Sequence, residues 1–197
     1  YGSSPLQNAS YFSVFANGGK SIQPFFIEKI LKTGEEVQFL ENQETNENFI
    51  ESWVGKEFPK EEIFTIDPRV SYIINDILLE ATRRGTGKKI QSLKRDDFAG
   101  KTGTTNDAES TWFTGFNKNI LTTVWFGYDQ PSTLGNKEFG SSTALPIWLD
   151  YMEDIIDDVE YGIQTRPSGL IAKKISLSDG MPANPEDSKT MFELFLD

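Results

Sequence analysis

Apolar residues recur along this chain in two rhythms, one helical and one alternating. From Pro5 to Asn17 they fall at Leu6, Ala9, Tyr11, Phe12, Val14, Phe15 and Ala16, too densely for a thin stripe, so the stretch reads as a buried helix. Gly18-Gly19 follows where a C-cap belongs. Asp67 before Pro68 makes an N-cap and first-position pair, and Val70, Ile73, Ile74, Ile77, Leu78 and Ala81 keep helical spacing up to Arg83-Arg84-Gly85. Pro146 opens a further helix through Ile147, Trp148, Leu149, Met152, Ile155 and Ile156.

The alternating rhythm predicts strands. Ile22, Phe25, Ile27 and Ile30, interrupted by Pro24, read as one strand of a hairpin that turns at Thr33-Gly34-Glu35 into Val37–Leu40. Thr111–Phe116 and Ile120–Tyr128 are rich in aromatic and β-branched residues. Asn117-Lys118-Asn119 separates them, so they should pair antiparallel. A lysine-bearing strand precedes them after the tight connection Gly85-Thr86-Gly87. Residues 41–60 are polar and acidic with Trp53 and Phe58 as anchors, and read as an irregular surface segment. Beyond Tyr161 the Gly, Pro and Ser content rises, and the tail should run over the surface or pair briefly as Leu170–Ile175.

Composition narrows the chemistry. With 197 residues, 37% hydrophobic and 13% aromatic, the chain can bury a substantial core. A net charge of −11 argues against nucleic acid or an anionic membrane surface as partner. There is no cysteine and no histidine, which removes thiol nucleophiles, Cys-based metal sites, the commonest zinc ligand and the imidazole base of a Ser-His-Asp triad. A hydrolase or transferase of this composition must use lysine or a carboxylate as its base. No apolar run is long enough to span a bilayer, and Tyr1-Gly2-Ser3-Ser4, without Met, reads as the start of a piece cut from something longer.

The densest chemistry lies in Ala99-Gly100-Lys101-Thr102-Gly103-Thr104-Thr105. On an extended backbone Thr102 and Thr104 share one face, while Gly103 leaves a gap beside Lys101 on the other. Two hydroxyls can donate to a carboxylate, Lys101 supplies positive potential, and the Thr104 N–H could serve a developing oxyanion. Phosphate-loop readings of Gly100-Lys101-Thr102 and Gly87-Lys88 fail. The required first glycine would fall at Arg95 or Thr82, Lys89 takes the Ser/Thr place in the second, and Asp96-Asp97 puts negative charge where phosphate must sit. Ser178-Asp179-Gly180 reads as a turn. Taken alone, Lys101 is a solvated strand lysine, Trp112, Phe113, Trp125 and Phe126 are core and sheet-packing residues, and Asp107 and Glu109 are solvated loop carboxylates.

Context changes the reading of Lys101. The run Lys101-Thr102-Gly103-Thr104-Thr105-Asn106-Asp107 is followed by Trp112-Phe113-Thr114-Gly115-Phe116 and Val124-Trp125-Phe126-Gly127-Tyr128-Asp129. K-T-G belongs with S-x-x-K and S-D-N in serine acyl-transfer enzymes of the penicillin-binding and β-lactamase type. The ordered set closely resembles the transpeptidase domain of class A, bifunctional penicillin-binding proteins. Ser13–Gly19, Arg84-Gly85-Thr86-Gly87, Thr143–Trp148 and the tail near Glu193-Leu194-Phe195 resemble family elements in family order. Ser110 departs from the pattern, which has an acidic residue there.

The resemblance implies an α+β fold, an antiparallel sheet flanked by helices, with residues 1–161 as the C-terminal part of the transpeptidase domain and 162–197 as an extension. It implies a serine acyl-transfer mechanism on the D-Ala-D-Ala ends of peptidoglycan stem peptides, with β-lactams as acylating mimics and no cofactor. Lys101 and Thr104 would be catalytic. Thr102, Gly103, Thr104 and Thr105 would bind substrate, and the Thr104 N–H would form half of the oxyanion hole. No serine here is followed three residues on by lysine, and none two residues on by asparagine. The family places both motifs upstream, with a glycosyltransferase domain and an anchor in the cytoplasmic membrane, the catalytic domain lying outside. The expectation is a chain that is inactive alone and needs the N-terminal part of the same protein. A D,D-carboxypeptidase, a β-lactamase-related hydrolase, or a non-catalytic piece completing another chain's site are the alternatives.

Overall fold

A computed structural model describes residues 2–22, 24, 31–32, 35–36 and 65–197. Two compact units divide the chain, one of residues 1–21 and 64–197, the other of residues 22–63. In the second unit, β1 (Leu31–Lys32) and β2 (Glu35–Glu36) pair antiparallel, Lys32 opposite Glu35. The remainder of the expected hairpin, and the expected irregular segment 41–60, lie outside the described residues.

The larger unit is built on a sheet in the order β3-β4-β5, from Ala99–Thr104, Ser110–Phe116 and Leu121–Gly127, antiparallel throughout. Asn117 makes the β4–β5 turn: its Oδ1 accepts from the N–H groups of Asn119 (2.8 Å) and Ile120 (3.0 Å). Successive side chains point to opposite faces, so Phe113 and Phe116 enter different cores. One core joins Phe98 and Phe113 to Ile90 and to Ala144, Leu145, Trp148 and Met152. The last four come from a helix at Ala144–Ile155, labelled α3. The other joins Ala99 and Phe116 to Ala16 and Leu78, with Phe12, Phe15, Ile74 and Leu121 against them. Its helices are α1 (Pro5–Ala16) and α2 (Pro68–Arg83). The result is helices, sheet and helix in layers.

Local signals explain the helix ends. Asp67 caps α2 by accepting from the Arg69 N–H, and Pro68 sits in the first turn, where its missing N–H has no intrahelical partner to lose. A capping box starts α1, with Ser4 Oγ accepting from the Gln7 N–H and the Gln7 side chain accepting from the Ser4 N–H. Contrary to expectation, α1 is not a buried helix. It packs one face, Ser13 and Ala16 are its buried residues, and Tyr11 is 62% exposed. Nor does Pro146 open α3, which begins two residues earlier and carries Pro146 in its unpaired first turn. The tail forms more than a brief strand: β6 (Leu170–Ser176) pairs along its whole length with β7 (Thr190–Leu196). Ser178-Asp179-Gly180 lies in the connection, with Gly180 at φ 74° and Asp179 accepting from the Met181 N–H, a turn as expected.

A buried ionic node fixes the entry to β3. The Asp97 carboxylate is fully enclosed and accepts four hydrogen bonds. Arg95 Nε and Nη2 donate at 2.8 and 2.7 Å, Asn117 Nδ2 at 2.9 Å and the Gly162 N–H at 3.0 Å. Burial alone would raise its pKa, but Arg95, Gly162 and Asn117 together hold it below the ordinary carboxylate value. Arg95 also donates to the carbonyls of Val159 and Glu160, with its guanidinium over the rings of Phe98 and Tyr161. Among the described residues no helix is long and apolar enough to cross a membrane.

Candidate active site

β3 is an outer strand, so one edge of its backbone has no strand partner among the described residues. The Thr105 N–H donates to the Ser110 carbonyl at 3.1 Å, turning residue 105 toward β4. Hydrogen-bonding direction alternates along a strand, which points Lys101 and Gly103 inward as well and Thr102 and Thr104 outward. The Thr104 N–H therefore faces the open edge. The Thr102 carbonyl faces the same way and accepts from Lys101 Nζ at 2.8 Å. An extended peptide laid along this edge would meet a free donor at Thr104 and an ammonium at Lys101.

The two side-chain hydroxyls of Thr102 and Thr104 share the opposite face from Lys101, as the alternation requires. Each is held. Thr102 Oγ1 lies 2.8 Å from Thr86 Oγ1. Thr104 Oγ1 accepts from the Gly140 N–H at 3.1 Å. Gly140 lies so flat on the β3–β4 ladder that a Cβ would stand 2.5 Å from the Trp112 carbonyl oxygen and 2.7 Å from that of Gly103. A side chain is excluded there, and the loop before α3 braces the strand. Lys89 Nζ ties the same loop to the Lys88–Leu93 3₁₀ turn by donating to the Ser141 carbonyl at 2.9 Å.

On the Lys101 face lies a cavity of about 460 Å³, lined in part by Lys101, Gly103, Trp112, Trp125, Asn8 and Phe12. The register sets this up: Gly103 is opposite Trp112, and Trp112 opposite Trp125. The two indoles stand 6.3 Å apart, and Gly103 leaves the expected gap, since a Cβ there would come 3.1 Å from Trp112 Cβ. The expectation that the four aromatic residues of β4 and β5 are all packing residues holds for Phe113. Trp112 and Trp125 pack against each other across the sheet but lie outside the core and wall the cavity, and Phe126 is 41% exposed. For the two tryptophans alternation is the reason: placing Phe113 in the core puts Trp112, and Trp125 opposite it, on the other face.

Thr105 lines the cavity, but its hydroxyl is taken up by the β3–β4 turn, accepting from the N–H groups of Glu109 and Ser110 and donating to the Ser110 carbonyl. Asp107 is exposed, as a solvated loop carboxylate should be. Two residues at the site escaped sequence reasoning. Thr86 belongs to the expected tight connection, closed where the Gly87 N–H donates to the Ala81 carbonyl. Its hydroxyl nonetheless reaches Thr102. Gly140 carried no local signal beyond being glycine, because its role rests on a contact with strands some thirty residues away.

A family model, the penicillin binding protein transpeptidase domain, matches residues 2–153. Penicillin-binding protein 1A of Pseudomonas aeruginosa is 34% identical over 226 aligned positions, covering 97% of this chain and 27% of that protein. Penicillin-binding protein 1A of Neisseria cinerea is 37% identical over 168 positions, covering 85% of this chain and 20% of its own length. The crystal structure of penicillin-binding protein 1A from Haemophilus influenzae superposes with a TM-score of 0.80 at 28% identity, over 98% of this chain and 32% of that one. The chain thus spans about a quarter of the length of such relatives. With the mixed helix and antiparallel-sheet architecture and the matched residues in agreement, this chain belongs to the penicillin-binding protein transpeptidase family of cell-wall synthesis.

Proposed function

We propose that the β3 edge is the substrate-binding wall of a serine D,D-transpeptidase site that takes the D-Ala-D-Ala end of a peptidoglycan stem peptide, and the β-lactams that mimic it. The observation that carries this reading is the outward Thr104 N–H on the strand that also bears the Thr102 and Thr104 hydroxyls and Lys101. In the reaction, a serine Oγ bonds to the penultimate D-Ala carbonyl carbon, the bond to the terminal D-Ala nitrogen breaks, and that nitrogen leaves protonated. An amine of a second stem then takes the acyl group and the serine Oγ regains its proton. Thr104 N–H stabilises the tetrahedral oxyanion, and loss of one such donor lowers turnover by roughly 10²–10³. The Thr102 and Thr104 hydroxyls hold the terminal carboxylate, Gly103 lets the peptide approach, Lys101 sets the potential for proton transfer, and Thr105 fixes the strand end.

The attacking serine belongs to an S-x-x-K motif that this sequence does not contain, and the S-x-N motif is missing as well. In this reading residues 1–161 are the C-terminal part of the transpeptidase domain, 162–197 an extension, and the nucleophile comes from the N-terminal part of the same protein. That larger protein carries a glycosyltransferase domain and a membrane anchor and works outside the cytoplasmic membrane. The test is labelling by a fluorescent penicillin. The 197-residue chain alone should take up no covalent label, and a mixture with the S-x-x-K and S-x-N part should. Label on this chain alone, near one per molecule, would overturn the proposal.

A further inference from the structure

The Thr102 and Thr104 hydroxyls are not equivalent in how they are held, and each arrangement leaves a proton that an anion can draw outward. Gly140 N–H can only donate, so it fills a lone pair of Thr104 Oγ1 and leaves the Thr104 O–H free to donate elsewhere. Thr102 Oγ1 has a hydroxyl for its neighbour, Thr86 Oγ1 at 2.8 Å, and either atom can donate to the other. Such a pair has one proton left over, on Thr86 or on Thr102, and nothing in the pair itself fixes which. An anion beside Thr102 does fix it. It draws the Thr102 proton outward, and Thr86 then donates into the vacated lone pair, a two-member chain in which each bond strengthens the next.

Building on the carboxylate reading of this site, we infer that Thr86 is a positioning residue for the substrate carboxylate, acting through Thr102 without touching the ligand. It makes Thr102 a stronger donor to a negative group than to a neutral one, because the chain of two bonds gains most where its outer end meets a charge. The glycines on either side keep it in place. A Cβ at Gly85 would stand 2.8 Å from the Ala81 carbonyl oxygen, and one at Gly87 3.2 Å from Thr82 Cγ2, so the loop is pressed onto the end of α2. Thr86 itself is exposed and can be changed without opening a core.

The experiment is NMR titration of the full 197-residue chain with N-acetyl-D-Ala-D-Ala and with its C-terminal amide, following the Thr102 and Thr104 signals, for wild type, Thr86→Val and Thr86→Ser. The wild type should prefer the acid. Thr86→Val should weaken acid binding about 3- to 10-fold, the range of one net hydrogen bond, and weaken amide binding by less, while Thr86→Ser restores the preference. A preference for the acid that survives intact in Thr86→Val overturns the role of Thr86 and leaves the carboxylate reading standing. Equal weakening of acid and amide also overturns it, since that marks a merely structural residue. A wild-type chain that prefers neither ligand overturns the carboxylate reading and this inference together. Unshifted Trp148 indole signals in each variant report that the fold is intact.

Discussion

Replacing Asp97 by Asn keeps the shape of the buried node and removes its charge. Four donor hydrogens converge on the carboxylate. An amide can place its single oxygen at Oδ2, where Arg95 Nη2, Asn117 Nδ2 and Gly162 N–H meet, but its NH₂ then faces Arg95 Nε, a donor against a donor. One charge-assisted bond is lost, about 1.5–3 kcal/mol, and the Arg95 side chain, 17% exposed, is left with no anion in contact. Breaking a buried pair from one side costs about 3–5 kcal/mol, so a destabilisation of about 3 kcal/mol is expected, or a fall in Tm of roughly 6–12 °C for a chain of this size. Urea unfolding followed by tryptophan fluorescence measures it. The native Asp97 pKa is depressed, so its contribution is complete above the unfolded value of about 3.9 and is lost as pH falls through the native one. The gap between wild type and variant should hold from neutral pH down to about pH 4 and close below it. A loss under about 1 kcal/mol, or a gap insensitive to acid, would refute the account of the node as a charge-dependent clamp.

Gly115→Ala places a Cβ 2.5 Å from Trp148 Cζ2 and 2.9 Å from Phe113 Cε1, an overpacking that should cost about 1–3 kcal/mol, read as a lowered Tm. Asp76→Asn should act in the opposite direction: burial, Glu193 and Glu80 hold the Asp76 pKa above its ordinary value, outweighing Arg83 and Arg166. A raised carboxylate pKa is a penalty above the native value that is relieved as pH falls through it. The variant should therefore have the higher urea midpoint at pH 7.5 and match wild type near pH 4, and an equal difference at both would refute the assignment.

What the sequence discloses about this molecule divides by distance along the chain. The sheet was legible because β4 and β5 are short, aromatic and β-branched, and joined by an Asn turn whose chemistry is local. α2 was legible from Asp67-Pro68, and the site strand from Lys101–Thr104. In the sequence Asp97 signals only a negative charge that spoils a phosphate loop. Its burial depends on Arg95 two residues before it, Asn117 twenty residues on and Gly162 a further 45 away, which no local pattern announces. The density of apolar residues in α1 overstated its burial, because density does not say how many faces have neighbours. The aromatic wall beside Lys101 could have been found: once Thr102 and Thr104 are assigned to one face and the strands paired, Trp112 and Trp125 must lie on the other. β7 carries its own signal in Thr190–Leu196, obscured by the polar run before it.

The sheet ends not only at β3 but also at β5, whose outer ladder has no partner strand among the described residues. Leu121–Gly127 contains no proline and no charged residue, and Trp125 and Phe126 are 37% and 41% exposed. Natural sheets blunt their margins with lysine, proline or bulges, since a bare ladder templates pairing with another chain. This strand has none of those guards, so during refolding at high concentration it competes with itself for intermolecular partners. Long-range repulsion from the net charge of −11 opposes that encounter, and salt weakens the repulsion. Recovery of monomer should accordingly fall as ionic strength rises, which makes low salt and high dilution the conditions in which this chain is best handled.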